Sequence, residues 1–144
     1  MKDNFAFRDS SALVPLCCQQ VDSAALRQVL RQKPRIVAWW SAIIEAHSAL
    51  ARLLREGTLT PKGYADAVKR LERLQTTWRE IVPSDKLRNL AKPLPKTYEL
   101  RAMDAQQLAA VLVWCWEKPK GRHVVCLDVR LGDAARKAGF TVVP

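Results

Sequence analysis

The sequence predicts an α/β protein, a three-layer α/β/α sandwich around a central, mainly parallel sheet. Three observations lead there. Short β-rich runs alternate with helical patterns along the chain, the signature of strands joined by crossover helices. One helical pattern, from about Ala105 to Trp116, is almost entirely apolar after Gln107, as a helix buried against a sheet would be. A chain of 144 residues suits one domain, residues 1–144, and can hide about two thirds of its extended surface, enough for a core.

The elements follow in order. Asn4 to Phe7 is extended, and Ser10-Ser11 can cap the apolar stretch after it, where Pro15 suits the early part of a short helix. Val21 to Arg31 reads as a helix with Leu26, Val29 and Leu30 on one side, stopped by Pro34. Ile36 to Trp40 is rich in β-formers. Ser41 opens a long helix with the apolar row Ile43, His47, Leu50 and Leu54, and Gly57 ends it. Thr60 caps the next helix with Pro61 at its first position; Val68, Leu71, Leu74 and Trp78 follow. Ile81-Val82 is a brief strand. Ser84 begins a helix through Leu87, Leu90 and Ala91, bounded by Pro93 and Pro95. After the apolar helix come a strand, Val124 to Leu127, a helix centred on Ala134 to Ala138 with Gly139 as its stop, and a last strand, Thr141 to Val143.

Hydrophobic residues make up 49% and charged residues 26%, which excludes a disordered or fibrous chain. Lys and Arg outnumber Asp and Glu by 24 to 14, a net charge of +10 that favours polyanionic partners over acidic ones. The longest apolar run, Leu108 to Trp116, is far short of the ~20 residues of a spanning helix. The Met-Lys-Asp-Asn start carries no long apolar stretch, so neither a membrane nor a secreted location is expected. Cys17, Cys18, Cys115 and Cys126 form no C-x-x-C pair, and His47 and His123 are the only histidines, which argues against zinc. Cys115 and Cys126 lie in apolar runs and are expected to be buried thiols in a reducing cytoplasm. Trp39, Trp40, Trp78, Trp114 and Trp116 read as core or interface residues, and His47 as a packed histidine.

In open parallel sheets, ligands bind beyond the carboxyl ends of the strands. Asp9 and Asp128 stand at such places, each also just before a helical pattern where Asp is a common cap. Asp104-Ala105-Gln106-Gln107 has the shape of a capping box. Glu45 lies nearly opposite Ile43 and Leu50 on a helical wheel, where glutamate is usually solvated, although Ala42 and Ala49 beside it would let another element come close. Spacing alone leaves both readings open for all four acids.

Four segments together resemble PIN domains, in particular VapC toxins of type II toxin–antitoxin pairs. They are Phe7-Arg8-Asp9-Ser10-Ser11, Ser41-Ala42-Ile43-Ile44-Glu45, Leu100-Arg101-Ala102-Met103-Asp104-Ala105 with Leu108-Ala109-Ala110, and Val124-Val125-Cys126-Leu127-Asp128 with Gly139-Phe140. They fall in family order over about residues 5 to 143. The resemblance implies an acidic site of Asp9, Glu45, Asp104 and Asp128 holding Mg²⁺ or Mn²⁺, with Ser11 as a hydroxyl close to the metal. It implies an endoribonuclease that hydrolyses RNA phosphodiesters as the toxin of a pair, a VapB-like protein antitoxin, and a homodimer in the cytoplasm. Hard cations do prefer oxygen ligands, and four uncompensated carboxylates would repel one another. Among the basic residues Arg27, Arg31, Lys33, Arg52, Arg55 and Arg101, Arg101 and Arg52 are the candidates for holding RNA, and most of the others are expected to be solvated. Arg8 departs from the family, in which that strand position is more often apolar; it is expected to turn outward or pair with an acid. Two other readings compete: an RNA-binding or regulatory module without turnover, and a DNA-directed nuclease.

Overall fold

Five strands joined by helical connections build the computed structural model, which describes residues 3–144. The first two residues of the Met-Lys-Asp-Asn start lie outside the described residues. The strands β1 (Phe5–Arg8), β2 (Arg35–Trp39), β3 (Arg79–Ile81), β4 (His123–Val125) and β5 (Thr141–Val143) are all parallel, in the order β3-β2-β1-β4-β5. Side chains alternate faithfully between the two faces. Phe7, Val37, Trp39 and Val124 pack beneath α4 (Asp85–Ala91), α5 (Leu94–Tyr98), α6 (Ala102–Trp114) and α7 (Val129–Ala138). Ala6, Ile36, Ala38 and Val125 face the other layer: two 3₁₀ turns (Ser10–Ala12 and Val14–Leu16), α1 (Ser23–Gln32), α2 (Ala42–Arg55) and α3 (Pro61–Gln75).

The chain leaves β1 toward β2 and β3 on one side, then returns to place β4 and β5 on the other. The direction of winding therefore reverses between β1 and β4, and at their carboxyl ends the connections diverge and leave a crevice. Helix α2 follows β2, so it starts at this edge. Helix α6 leads back into β4, so its amino end lies at the same edge. The topology thus brings four amino-terminal helical turns to one rim of the sheet.

Several local expectations are corrected. Helix α1 begins at Ser23, leaving Val21 96% exposed. The buried row of α2 is Ala42, Ala46, Leu50 and Leu53 rather than Ile43, His47, Leu50 and Leu54. The small alanines win because they let the helix sit close on the sheet, and this rotates Glu45 toward the site. His47 is not packed among apolar side chains; its Nε2 lies 2.7 Å from Glu72 Oε1 on α3. The strand read at Ile81-Val82 is Arg79–Ile81, with Val82 exposed. Pro93 and Pro95 do more than bound α4: they open the short helix α5, since proline is well placed in a first turn. Helix α6 starts three residues early, at Ala102, with Arg101 as its N-cap. Arg8 neither turns outward nor pairs with an acid. It is fully buried, and its guanidinium donates from Nη1 to Ala12 O (2.9 Å) and from Nη2 to Leu26 O (3.1 Å). Burial lowers its pKa to about 10, so it remains charged at neutral pH. Among the described residues, no helix is long and apolar enough to cross a membrane.

Candidate active site

Asp9, Glu45, Asp104 and Asp128 line one polar cleft of about 460 Å³ at the switch between β1 and β4. Ser11, Ser48, Arg52 and Gln107 share it. The four acids come from four separate elements: the turn after β1, the first turn of α2, the first turn of α6, and the N-cap of α7.

Capping accounts for only one of them. Asp128 Oδ1 accepts from Leu131 N–H at 2.8 Å, so the ordinary reading holds there. Asp9 occupies the N-cap of its 3₁₀ turn without making a side-chain capping bond. Asp104 sits inside the first turn of α6, so the capping box read from Asp104 to Gln107 is absent. Asp9 is engaged locally only by Ser11, and among the described residues Asp104 makes no side-chain hydrogen bond.

Ser11 joins the two strand ends. Its hydroxyl donates to Asp9 Oδ1 at 2.7 Å and accepts from Leu127 N–H at 3.0 Å. It thereby ties the turn after β1 to the chain leaving β4 and fixes the Asp9 carboxylate. Gln107 does the same for Glu45: its Nε2 donates to Glu45 Oε2 at 2.7 Å. Gln107 is 2% exposed, and its Oε1 is buried without a partner. Sequence reading missed this residue, although one signal was present: a glutamine at the edge of an otherwise apolar buried run must find a polar partner.

The electrostatics show acids held in mutual tension. Burial pushes Asp9 up to about 6, against the Ser11 hydrogen bonds and with the charge of Asp128 adding to the rise. Burial pushes Glu45 up to about 7; the Gln107 bond opposes this, and the charges of Asp9 and Asp104 reinforce it. Asp104 is raised by burial and by Asp128, while Arg130 and Arg101 pull it back. Such a cluster calls for positive charge.

The donor set is all oxygen and mostly carboxylate, which suits a hard divalent cation. Among the described residues, no group of three or more Asp, Glu, His or Cys side chains is arranged to hold an ion by itself. A cation such as Mg²⁺, which keeps several waters and commonly takes only one or two carboxylates directly, would suit such a donor set. All four cysteines are buried free thiols, and Cys126 Sγ donates to Asp128 O at 3.3 Å.

Arg52 lines the cleft, and Arg101 lines the adjoining one. Arg27, Arg31, Lys33 and Arg55 do not line either of them. Trp39 and Trp78 are core residues. Trp114 is half-buried under the Arg122 guanidinium, 5.1 Å away, whereas Trp40 and Trp116 stay exposed.

No family model matches the chain, and no curated protein matches it by sequence. Solved structures do. A chain of a toxin–antitoxin complex from Klebsiella pneumoniae superposes with a TM-score of 0.67 at 16% identity, over 96% of each chain. The protein PAE2754 from Pyrobaculum aerophilum gives 0.64 at 20% identity, over 97% of this chain and 90% of its own. VapC20 of Mycobacterium tuberculosis, a sarcin-ricin loop cleaving toxin, gives 0.65 at 20% identity, over 94% and 96%. Each likeness runs almost end to end and includes the parallel sheet that places the acids, so the chain has the PIN-domain fold of VapC-like proteins.

Proposed function

We propose that this protein is a Mg²⁺- or Mn²⁺-dependent endoribonuclease and the toxin of a toxin–antitoxin pair. The observation that carries the reading is the convergence of Asp9, Glu45, Asp104 and Asp128 on one cleft, with burial and mutual repulsion raising three of them and only Asp128 used as a cap. The fold shared with VapC20 and with a chain of a toxin–antitoxin complex supports the choice of RNA and of a protein antitoxin.

Asp9, Asp104 and Asp128 would hold the cation, partly through water. A bound divalent ion supplies positive charge for the oxygens that become anionic in phosphodiester hydrolysis and makes a water more acidic. Ser11 keeps Asp9 in one orientation. Gln107 occupies Glu45 Oε2, which leaves Oε1 to orient the attacking water. Arg52 and Arg101 flank the acids and would hold the RNA backbone. The exposed Trp40 and Trp116 offer apolar surface for a homodimer contact.

The test is cleavage of RNA and of matched DNA with Mg²⁺ or Mn²⁺, with and without chelator, by the wild type, Asp9→Ala and Asp104→Ala. RNA cleavage that chelator abolishes and either substitution lowers by at least two orders of magnitude is expected. Equal, chelator-resistant cleavage in all three would defeat the reading; preference for DNA would move it to a DNA-directed nuclease. RNA binding without cleavage would point to a regulatory module. Growth arrest on expression, relieved by Asp104→Ala and by a co-expressed antitoxin, addresses the toxin role.

A further inference from the structure

The acidic cleft does not end at its acids. Asp104 and Asp128 also line a neighbouring cleft whose other walls include Arg101 and Arg130. Arg130 and Asp133 in turn line a third, with Tyr98, Glu99 and Lys137. Each cleft shares residues with the next, so they form one continuous path from the acids along the outer surface of α7. Arg130, Asp133, Ala134 and Lys137 follow the i, i+3, i+4, i+7 spacing of a single helical stripe, about 10 Å long.

The charges along this path are unevenly used. Asp133 is neutralised by Arg136, whose Nη1 lies 3.1 Å from its Oδ1. Among the described residues, Arg101, Arg130 and Lys137 form no ion pair, and of the acids beyond the first cleft only Glu99 is left to oppose them. Arg101 and Arg130 are both exposed, yet their charges are felt at the Asp104 carboxylate, Arg130 the more strongly. Unpaired guanidinium groups beside an acidic centre suit a phosphodiester, which they can meet with two parallel hydrogen bonds. A row of cations spaced along one helix face suits a polyanion with regularly repeated charge better than a folded protein surface.

We propose that Arg130, together with Arg101, is a phosphate-binding subsite for single-stranded RNA leaving the acidic cleft, and that the strand continues over α7 toward Lys137. The ligand is the sugar-phosphate backbone, so the contact is independent of base. The inference deepens the ribonuclease reading and rests on it for the identity of the strand.

The experiment measures binding of a fluorescein-labelled, mixed-sequence 12-nucleotide RNA in EDTA, as a function of KCl, by wild type, Arg130→Ala, Arg130→Lys and Arg31→Ala. Arg31 lies on α1, remote from the path. Arg130→Ala should weaken binding about fivefold or more at low salt and flatten the slope of log K against log[salt] by about 0.7, the contribution of one contact to a single strand. Arg130→Lys should keep the slope, and Arg31→Ala should match wild type. Unchanged affinity and slope in Arg130→Ala, an equal loss in Arg31→Ala, or no RNA binding by wild type overturns the subsite. So does an intact RNA slope with lost binding of a poly-glutamate peptide, which would give these cations to an acidic protein partner. If the predicted slopes appear but wild type cleaves no RNA with any divalent ion, the subsite stands and the nuclease reading falls.

Discussion

Gln107 and Arg8 show how single polar residues in this core are committed to shaping the site. Gln107 spends its amide hydrogen on Glu45 and leaves Oε1 buried without a partner, a stability cost with no local return. Gln107→Leu should therefore change the unfolding midpoint in urea little, because relief of the buried Oε1 offsets the partner lost to Glu45, while lowering cleavage roughly ten- to a hundredfold, the worth of a hydrogen bond to a charged group. Unchanged cleavage would show that Glu45 needs no such support. Arg8 is a buried cation without a carboxylate; it satisfies the carbonyls of Ala12 and Leu26 and so anchors the turn that carries Asp9. The acids themselves give a pH signature. Asp9 and Glu45 have folded pKa values of about 6 and about 7, raised mainly by burial, above 3.8 and 4.5. A raised carboxyl pKa means that the folded state binds the proton more tightly than the unfolded state. Stability without divalent ion should therefore fall as pH rises from about 4 to about 7. Thermal unfolding in EDTA across that range should show the decline, and Asp9→Asn should flatten it; a midpoint that rises with pH would contradict the burial of these groups.

At the scale of elements, helix ends decide what the acids can do. The sequence signals that depend on local backbone chemistry proved legible: Thr60 accepts from Gly63 N–H, Ser84 from Leu87 N–H, and Gly139 ends α7 at φ 108°. Gly139 has a second constraint, because a Cβ there would stand 2.9 Å from Pro119 Cγ on the loop before β4. Gly139→Ala should cost about 1–2 kcal/mol for the left-handed backbone alone, read as a lower urea midpoint; an unchanged midpoint would mean that the α7–β5 turn can relax. Phases of amphipathic helices were less legible. In α2 the apolar row seen in the sequence competes with a row of alanines, and only close approach to the sheet favours the second. Helix α6 starts three residues before the point its apolar pattern suggests, because Arg101, a residue with no capping preference, takes the N-cap position. That shift matters: it turns Asp104 from a cap into an unengaged carboxylate.

For the whole molecule, exposed apolar groups beside the site bear on assembly. Trp40 is 48% exposed and Ile44 59% exposed, and Trp40 lines an apolar cleft with Leu87, Ala91, Ala102 and Ala105. The homodimer proposed above should sediment as a dimer at micromolar concentration, and Trp40→Glu should shift it toward monomer; a wild-type monomer would remove the dimer from the proposal. By itself, the sequence determined the alternation of strands and helices, the parallel three-layer class, the caps at Thr60, Ser84 and Asp128 with the stop at Gly139, and which acids were worth watching, because these follow from short-range periodicity and side-chain chemistry. Only the tertiary structure decided that Asp9 and Asp128 meet at the reversal between β1 and β4, that Glu45 turns inward, that Gln107 and Ser11 hold two of the acids, and that Arg130 lies beside them. Each of those facts joins residues far apart in the chain, and their meeting depends on strand order and helix rotation, which no local pattern encodes.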